Sequence, residues 1–205
     1  MLVLGKDTEK GGEAECMASG RVAIVERDGE LIKTDVGTFK ADRVNLKNVL
    51  DFLADLGYDC AILKGFDDFE ASEWETLKSL VEKVKRSEGS ERCGAIGIFV
   101  GFVRKISDGK EVERLEYEKY DELYTEKLID IEEKLKSYPG VVEVKIHHRD
   151  GILKPGEDIV YVVIMGGHRK DVWKPLEDSM ELIKKELPIW KKEVFTDGEH
   201  WVHDG

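Results

Sequence analysis

Apolar positions set the first outline of this chain. Arg21–Glu26 and Glu30–Thr34 carry the alternation and β-branched residues of strands, and Asp28-Gly29 between them predicts a hairpin turn. Asn45 is placed to cap a helix with apolar positions Leu46, Val49, Leu50, Leu53 and Leu56, closed by Gly57. A short apolar strand follows at Asp59–Lys64. Ser72 and Glu75 then form a capping-box pattern ahead of a helical stripe made by Trp74, Leu77, Leu80, Val81 and Val84. The polar run Lys85–Arg92 contains a Gly-Ser step and no periodicity, and marks a boundary. The expected organisation is a small α+β domain over 1–88 and a second α+β domain over 89–205.

In the second domain, Ala95–Val103 reads as a strand whose interior glycines, Gly97 and Gly101, suggest a bulge or a close backbone approach. Glu111–Lys119 reads as another strand. Tyr124, Leu128, Ile131 and Leu135 recur at helical spacing up to Pro139-Gly140, and Val142, Val144 and Ile146 alternate as in a half-buried strand. Pro155-Gly156 is a turn, Ile159–Met165 a strongly apolar strand, and Gly166-Gly167 opens a helix that reaches Leu187 before Pro188 stops it. Lys174-Pro175 is expected to delay or kink the start of that helix.

Charge narrows the class. Across 205 residues, 32 Lys and Arg stand against 44 Asp and Glu, a net charge of −12 spread over both halves. That balance argues against a general nucleic-acid binder, which needs a basic face, but leaves room for a basic pocket for a small anion. The apolar run at the N-terminus is too short for a signal peptide and nothing approaches a membrane span, so a cytoplasmic protein is expected. Cys16, Cys60 and Cys93 form no CxxC pair and no zinc spacing. They read as small buried core residues in a reducing compartment rather than as a disulfide framework.

Three stretches carry candidate chemistry. Gly166-Gly167-His168-Arg169-Lys170 places two basic side chains at a helix N-terminus, suited to a small anion such as phosphate; a capped helix start with solvated basic residues is the plainer alternative. Met180 and Lys184, four residues apart, share a helical face, and Lys191 returns from beyond Pro188. Two lysines converging on one pocket supply a nucleophile or acid–base group, whereas apart they are a solvated basic helix end. Phe99–Lys105 ends an apolar strand on Arg104. His147 and His148, adjacent on a strand, point to opposite faces and are not expected to share a metal. No Ser-His-Asp pattern or GxSxG is present.

In order, Gly94–Arg104, Leu115–Glu118, Thr125–Lys127, His148–Gly151, Pro155–Val160, Gly167–Arg169, Pro188–Glu193 and Gly198–Val202 resemble the MoaE family, the large catalytic subunit of molybdopterin synthase, over about residues 93–202. The resemblance implies the family's α/β hammerhead fold with an antiparallel subdomain. It implies transfer of sulfur from the C-terminal Gly-Gly thiocarboxylate of a small ubiquitin-like subunit to cyclic pyranopterin monophosphate, giving the dithiolene of molybdopterin. By position, Lys184 would be the central catalytic lysine and Lys191 its companion. Arg104, His168 and Arg169 would hold the substrate's phosphate and pterin, and Phe99 and Met180 would line the pocket. The pterin is substrate; no metal or cofactor is implied. A homodimer carrying two small subunits, a heterotetramer, is implied as the assembly.

Two departures stand out. Members commonly carry a basic residue in the tail that reaches across the homodimer, where this chain ends in Gly205, leaving His200 or His203 for that role. Glu186 and Phe102 occupy positions where other members often have a basic residue. A scaffold without turnover is the alternative reading. In residues 1–88, Tyr58–Phe66 faintly resembles a strand of the molybdopterin-guanine dinucleotide adaptor of the same pathway. Gly5-Lys6-Asp7-Thr8 lacks that protein's P-loop spacing, so a docking module is expected there, with a nucleotide-dependent regulator as the alternative.

Overall fold

The computed structural model describes residues 1–5, 16, 18, 20–42, 44–67, 69, 72–196 and 198–202. The chain divides into two compact units, Met1–Ser79 and Leu80–Gly205. The polar segment read as a boundary in the sequence lies in the second unit and holds a single 3-10 turn, Ser90–Arg92.

In the first unit, strands β1 (Leu2–Leu4), β2 (Val22–Asp28), β3 (Leu31–Thr34), β4 (Gly37–Lys40), β5 (Cys60–Lys64) and β6 (Ser72–Glu73) form one sheet in the order β4-β3-β2-β5-β1-β6. The two central pairings, β2 with β5 and β5 with β1, are parallel. Helix α1 (Leu46–Asp55) begins as expected: the Asn45 side chain accepts from the Asn48 amide at 2.8 Å. It buries Val49, Leu50 and Leu53 in a core with Val3, Val25 and Leu63.

Three expectations for this region are corrected. Asp28 pairs directly with Leu31, so the hairpin turn is Gly29-Glu30. Helix α2 (Leu77–Lys85) starts later than the Ser72–Glu75 pattern suggested. Thr76 and Ser79 cap it reciprocally: each amide donates to the other's hydroxyl, at 2.9 and 3.1 Å, while Trp74 packs near Phe69 and donates to Asp51 at 2.7 Å. The cysteine reading also changes. Cys16 and Cys60 are buried, but they are joined by a disulfide with a Cα separation of 5.6 Å; Cys93 is free.

The second unit has two antiparallel sheets. Strands β7 (Ala95–Phe102), β10 (Val141–His148) and β12 (Asp158–Gly166) are ordered β10-β12-β7. Strands β9 (Lys110–Lys119), β11 (Gly151–Leu153), β13 (Ile189–Phe195) and β14 (Gly198–Val202) are ordered β11-β9-β13-β14, and β8 (Ile106–Ser107) pairs with β9. Helices α3 (Asp121–Lys136) and α4 (Arg169–Glu186) cover the first sheet. Ile131, Leu135, Val144, Val162, Ile164, Val172 and Ile183 form its core. A second cluster of Val103, Val112, Leu115, Tyr117, Leu153 and Phe195 belongs to the other sheet. Ile159 and Ile189 pack against both clusters, so the two cores meet there.

Helix α4 runs through Pro175 without delay. Its start is fixed instead by Asp171, whose carboxylate accepts from the His168 amide at 2.7 Å. Pro175 forgoes one backbone hydrogen bond, offset by burying its ring on the core face. Among the described residues no helix is long and apolar enough to cross a membrane.

Candidate functional site

Where the two cores of the second unit meet, a cavity of about 230 Å³ opens. Helix α4 contributes Met180, Ile183 and Lys184 on one stripe, as the four-residue spacing requires, and Leu187 just beyond. Leu187 takes an extended conformation, Pro188 prevents further helix, and the chain returns as β13. Period-two alternation then sends Ile189 and Lys191 to the cavity. Trp190 is exposed, and Lys192 pairs with Glu116 and Glu199 at 3.7 and 2.8 Å.

The opposite wall comes from β7, with Phe99, Gly101 and Phe102, and from Ile159 and Val160 of β12. Gly101 is opposite Val160 in the ladder, and a Cβ there would lie 2.8 Å from Val160 Cγ1 and 3.3 Å from the Phe99 ring. The absence of a side chain lets both residues close in behind the cavity. The close approach at this glycine is made by side chains, not by another stretch of backbone.

The two predicted lysines are therefore in one cavity with Phe99 and Met180. The other predicted contacts are distributed differently. Arg104 is exposed just beyond β7, at the end of the strand that holds Gly101 and Phe102, and does not line the cavity. His168 and Arg169 are exposed at the N-terminal end of α4, whereas Lys184 lies near its C-terminal end, roughly 20 Å away by helical rise. Within a single chain they stand apart from the lysine cavity. His200 faces Glu193 in the β13–β14 ladder, and His203 lies outside the described residues. Glu186, at a position where other members often carry a basic residue, is engaged by the Lys134 ammonium at 2.5 Å.

Sequence reasoning did not assign site roles to Tyr117, His148 or Glu193. Tyr117 and His148 line the cavity with their rings edge to face, centroids 5.0 Å apart. The adjacent His147 lies against Tyr161 instead, centroids 6.2 Å apart, so the two imidazoles diverge as strand geometry requires. Burial is the main cause that pushes both imidazoles down to about 4, well below a free histidine. Both are therefore neutral near pH 7. Glu193 is buried beside Lys191, its Oε1 3.1 Å from the Lys191 ammonium. Among the described residues no cluster of metal-binding side chains occurs.

The family model described as MoaE protein matches residues 71–186, more than half of the chain.

The chain belongs to the MoaE family.

Relatives agree with it. A probable molybdopterin synthase of Haloferax volcanii is 43% identical over 131 residues, 63% of this chain and 50% of that protein. The chain thus spans about half the length of that relative. The molybdopterin synthase catalytic subunit of Bacillus subtilis is 36% identical over 62% of this chain and 78% of its own length. Among solved structures, the molybdopterin synthase of Staphylococcus aureus superposes with a TM-score of 0.52 at 37% identity, covering 55% of this chain and 82% of that one. A Helicobacter pylori structure described as a complex of subunits 1 and 2 of molybdopterin-converting factor gives a TM-score of 0.51 at 25% identity over 63% and 86%. These matches support the MoaE-type α+β fold expected from the sequence.

Proposed function

We propose that this MoaE-family chain acts in molybdenum cofactor biosynthesis as the catalytic subunit of a molybdopterin synthase. In this reading the second unit transfers sulfur from the C-terminal thiocarboxylate of a small ubiquitin-like partner to cyclic pyranopterin monophosphate. The observation that carries the reading is the convergence of Lys184 and Lys191 on one cavity walled by Phe99 and Met180. Both reactants are anionic. Ammonium groups in a partly enclosed site attract the thiocarboxylate and the phosphate, and stabilise negative charge that develops as sulfur attacks carbon and the spent carboxylate leaves. Lys184 is the central group in this proposal and Lys191 its companion. No resident metal or cofactor is called for.

The Helicobacter pylori complex of two subunits supports a small-subunit partner for this chain. In this reading His168 and Arg169, far from the lysines along α4, join the substrate's phosphate at the cavity of a second copy, in a homodimer that with two small subunits makes a heterotetramer. Arg104, at the end of β7, would reach the phosphate from the rim.

The test is turnover of the pterin with a thiocarboxylated small subunit. Replacing Lys184 by Ala is expected to lower turnover at least ~100-fold, as for loss of a group acting on the reacting atoms, while leaving partner binding intact. Wild-type protein that binds the small subunit but forms no dithiolene would instead mark a scaffold. Unchanged turnover in the Lys184→Ala protein would refute the lysine's role.

A further inference from the structure

Four polar side chains line the lysine cavity: Lys184, Lys191, Tyr117 and His148. Their hydrogen-bonding capacities differ. Each lysine ammonium only donates, and the tyrosine hydroxyl does both. His148 is fixed by its backbone surroundings. Its Nδ1 lies 2.8 Å from the Arg149 carbonyl oxygen, which can only accept, so Nδ1 carries the proton. The other ring nitrogen, Nε2, is then a lone-pair acceptor.

Nε2 has no hydrogen-bond partner among the described residues, and it is not among the atoms sealed from solvent without one. The ring is otherwise enclosed, by Tyr117 on one side and the Arg149 backbone on the other. His148 is one of the side chains that line the cavity. Its charged neighbours are Arg149, Asp150 and Lys119, and Lys184 and Lys191 line the same cavity.

We infer that His148 is a substrate-binding residue whose Nε2 accepts a hydrogen bond from an N–H or O–H group of the pterin. The inference rests on the sulfur-transfer reading above and adds a complementary element to it. The lysines meet the anionic parts of the ligand. A pterin also carries ring N–H and amino donors, which the two ammonium groups cannot receive. His148 fills that need from β10, on a rigid strand, without adding charge. A misplaced pterin would present the wrong carbon to the incoming sulfur, so an acceptor at a fixed position orients the ligand against the lysines.

The experiment uses the full chain with its thiocarboxylated small subunit and cyclic pyranopterin monophosphate as probe. Histidine labelled with ¹⁵N reports the ring directly. In the free protein the His148 Nε2 resonance is expected at the position of an unprotonated nitrogen, moving upfield when the pterin is added. A second arm compares His148→Phe, which keeps the ring volume and deletes the acceptor, with His148→Gln, whose side-chain oxygen reaches a similar place. His148→Phe is expected to weaken pterin binding about tenfold, the scale of one lost hydrogen bond, and His148→Gln to restore most of it. Wild-type turnover combined with an unmoved Nε2 resonance overturns the inference and leaves the sulfur-transfer reading standing. If His148→Phe does not fold, the resonance in wild-type protein alone decides. If the wild-type protein neither binds nor converts the pterin, the underlying reading fails, and this inference with it.

Discussion

Lys191 and Glu193 share one face of β13, and the Lys191 ammonium lies 3.1 Å from the Glu193 carboxylate, which is itself buried. Lys192, between them, faces the other way and is held by Glu116 and Glu199. Period-two geometry thus divides two adjacent lysines between two tasks. Lys191→Ala is expected to reduce sulfur transfer at least ~100-fold, the scale of a lost acid–base group, whereas Lys192→Ala should change it less than ~3-fold, within the range of a surface ion pair. Steady-state turnover of both variants checks this. Equal losses would contradict the assigned faces.

Glu193 is not among the residues that line the cavity, and in the sulfur-transfer reading it positions Lys191. Replacing it by Gln keeps the shape but removes the charge that draws the ammonium into place. Turnover is expected to fall ~10-fold or more, because a misdirected catalytic group costs rate even where binding survives. A Glu193→Gln enzyme with the wild-type rate would remove Glu193 from the machinery.

Much of this site was legible before the fold was known. Met180 and Lys184 follow from helical spacing, and Pro188 forces the reversal that brings Lys191 back. The fate of His148 was not legible. Alternation predicts that His147 and His148 diverge, but which imidazole meets a cavity depends on long-range contacts: the packing of Tyr117 from another sheet, and the pairing of β10 with β12. The grouping of His168 and Arg169 with the lysines came from resemblance alone, and the length of α4 separates them within one chain. For the start of α2, Ser72 and Thr76 offer similar local capping signals, and the capture of Trp74 by the first core decides between them.

Gly140 sets the approach of α4 to the sheet. It has φ +82°, and a Cβ there would fall 2.4 Å from Asp171 Cγ, the carboxylate that caps the helix. Gly140→Ala therefore meets backbone strain and a displaced cap together. The expected loss is ~1–3 kcal/mol, combining a left-handed alanine with part of a cap. Chemical denaturation measures it. Asp171→Ala alone should cost about 1 kcal/mol, and a Gly140→Ala protein as stable as wild type would show that the turn relaxes freely.

The Cys16–Cys60 disulfide closes a stretch with a sequence separation of 44 and ties Cys16 to the strand at the centre of the first sheet. Loop-closure entropy for that length puts its contribution at ~4 kcal/mol, with ~2–4 kcal/mol the usual yield. Cys16→Ser, or reductant, should lower the denaturation midpoint of the first unit accordingly. A midpoint indifferent to reductant would show that the bond adds nothing to the folded state.

His147 and His148 also give the second unit a pH dependence whose sign can be worked out. Both imidazoles sit at about 4 in the folded protein, lowered chiefly by burial, against 6.5 in the unfolded chain. Above pH 6.5 neither state is protonated and the full stability is present. As pH falls from 6.5 towards 4, the unfolded chain takes up protons that the folded form refuses, so stability drops, by on the order of 3 kcal/mol per histidine. Glu132 acts in the opposite direction. Burial raises its carboxyl above the usual range, although the Ile146 amide and Lys145 bond to it at 2.8 and 3.0 Å, so its contribution to stability weakens as pH rises. One carboxyl against two imidazoles leaves a net gain in stability between pH 4 and 6.5. Denaturation across that window should show the rise, and His147→Gln, which removes one imidazole outside the cavity, should roughly halve the histidine contribution. A flat profile for both proteins would mean that the buried rings admit protons as readily as the unfolded chain.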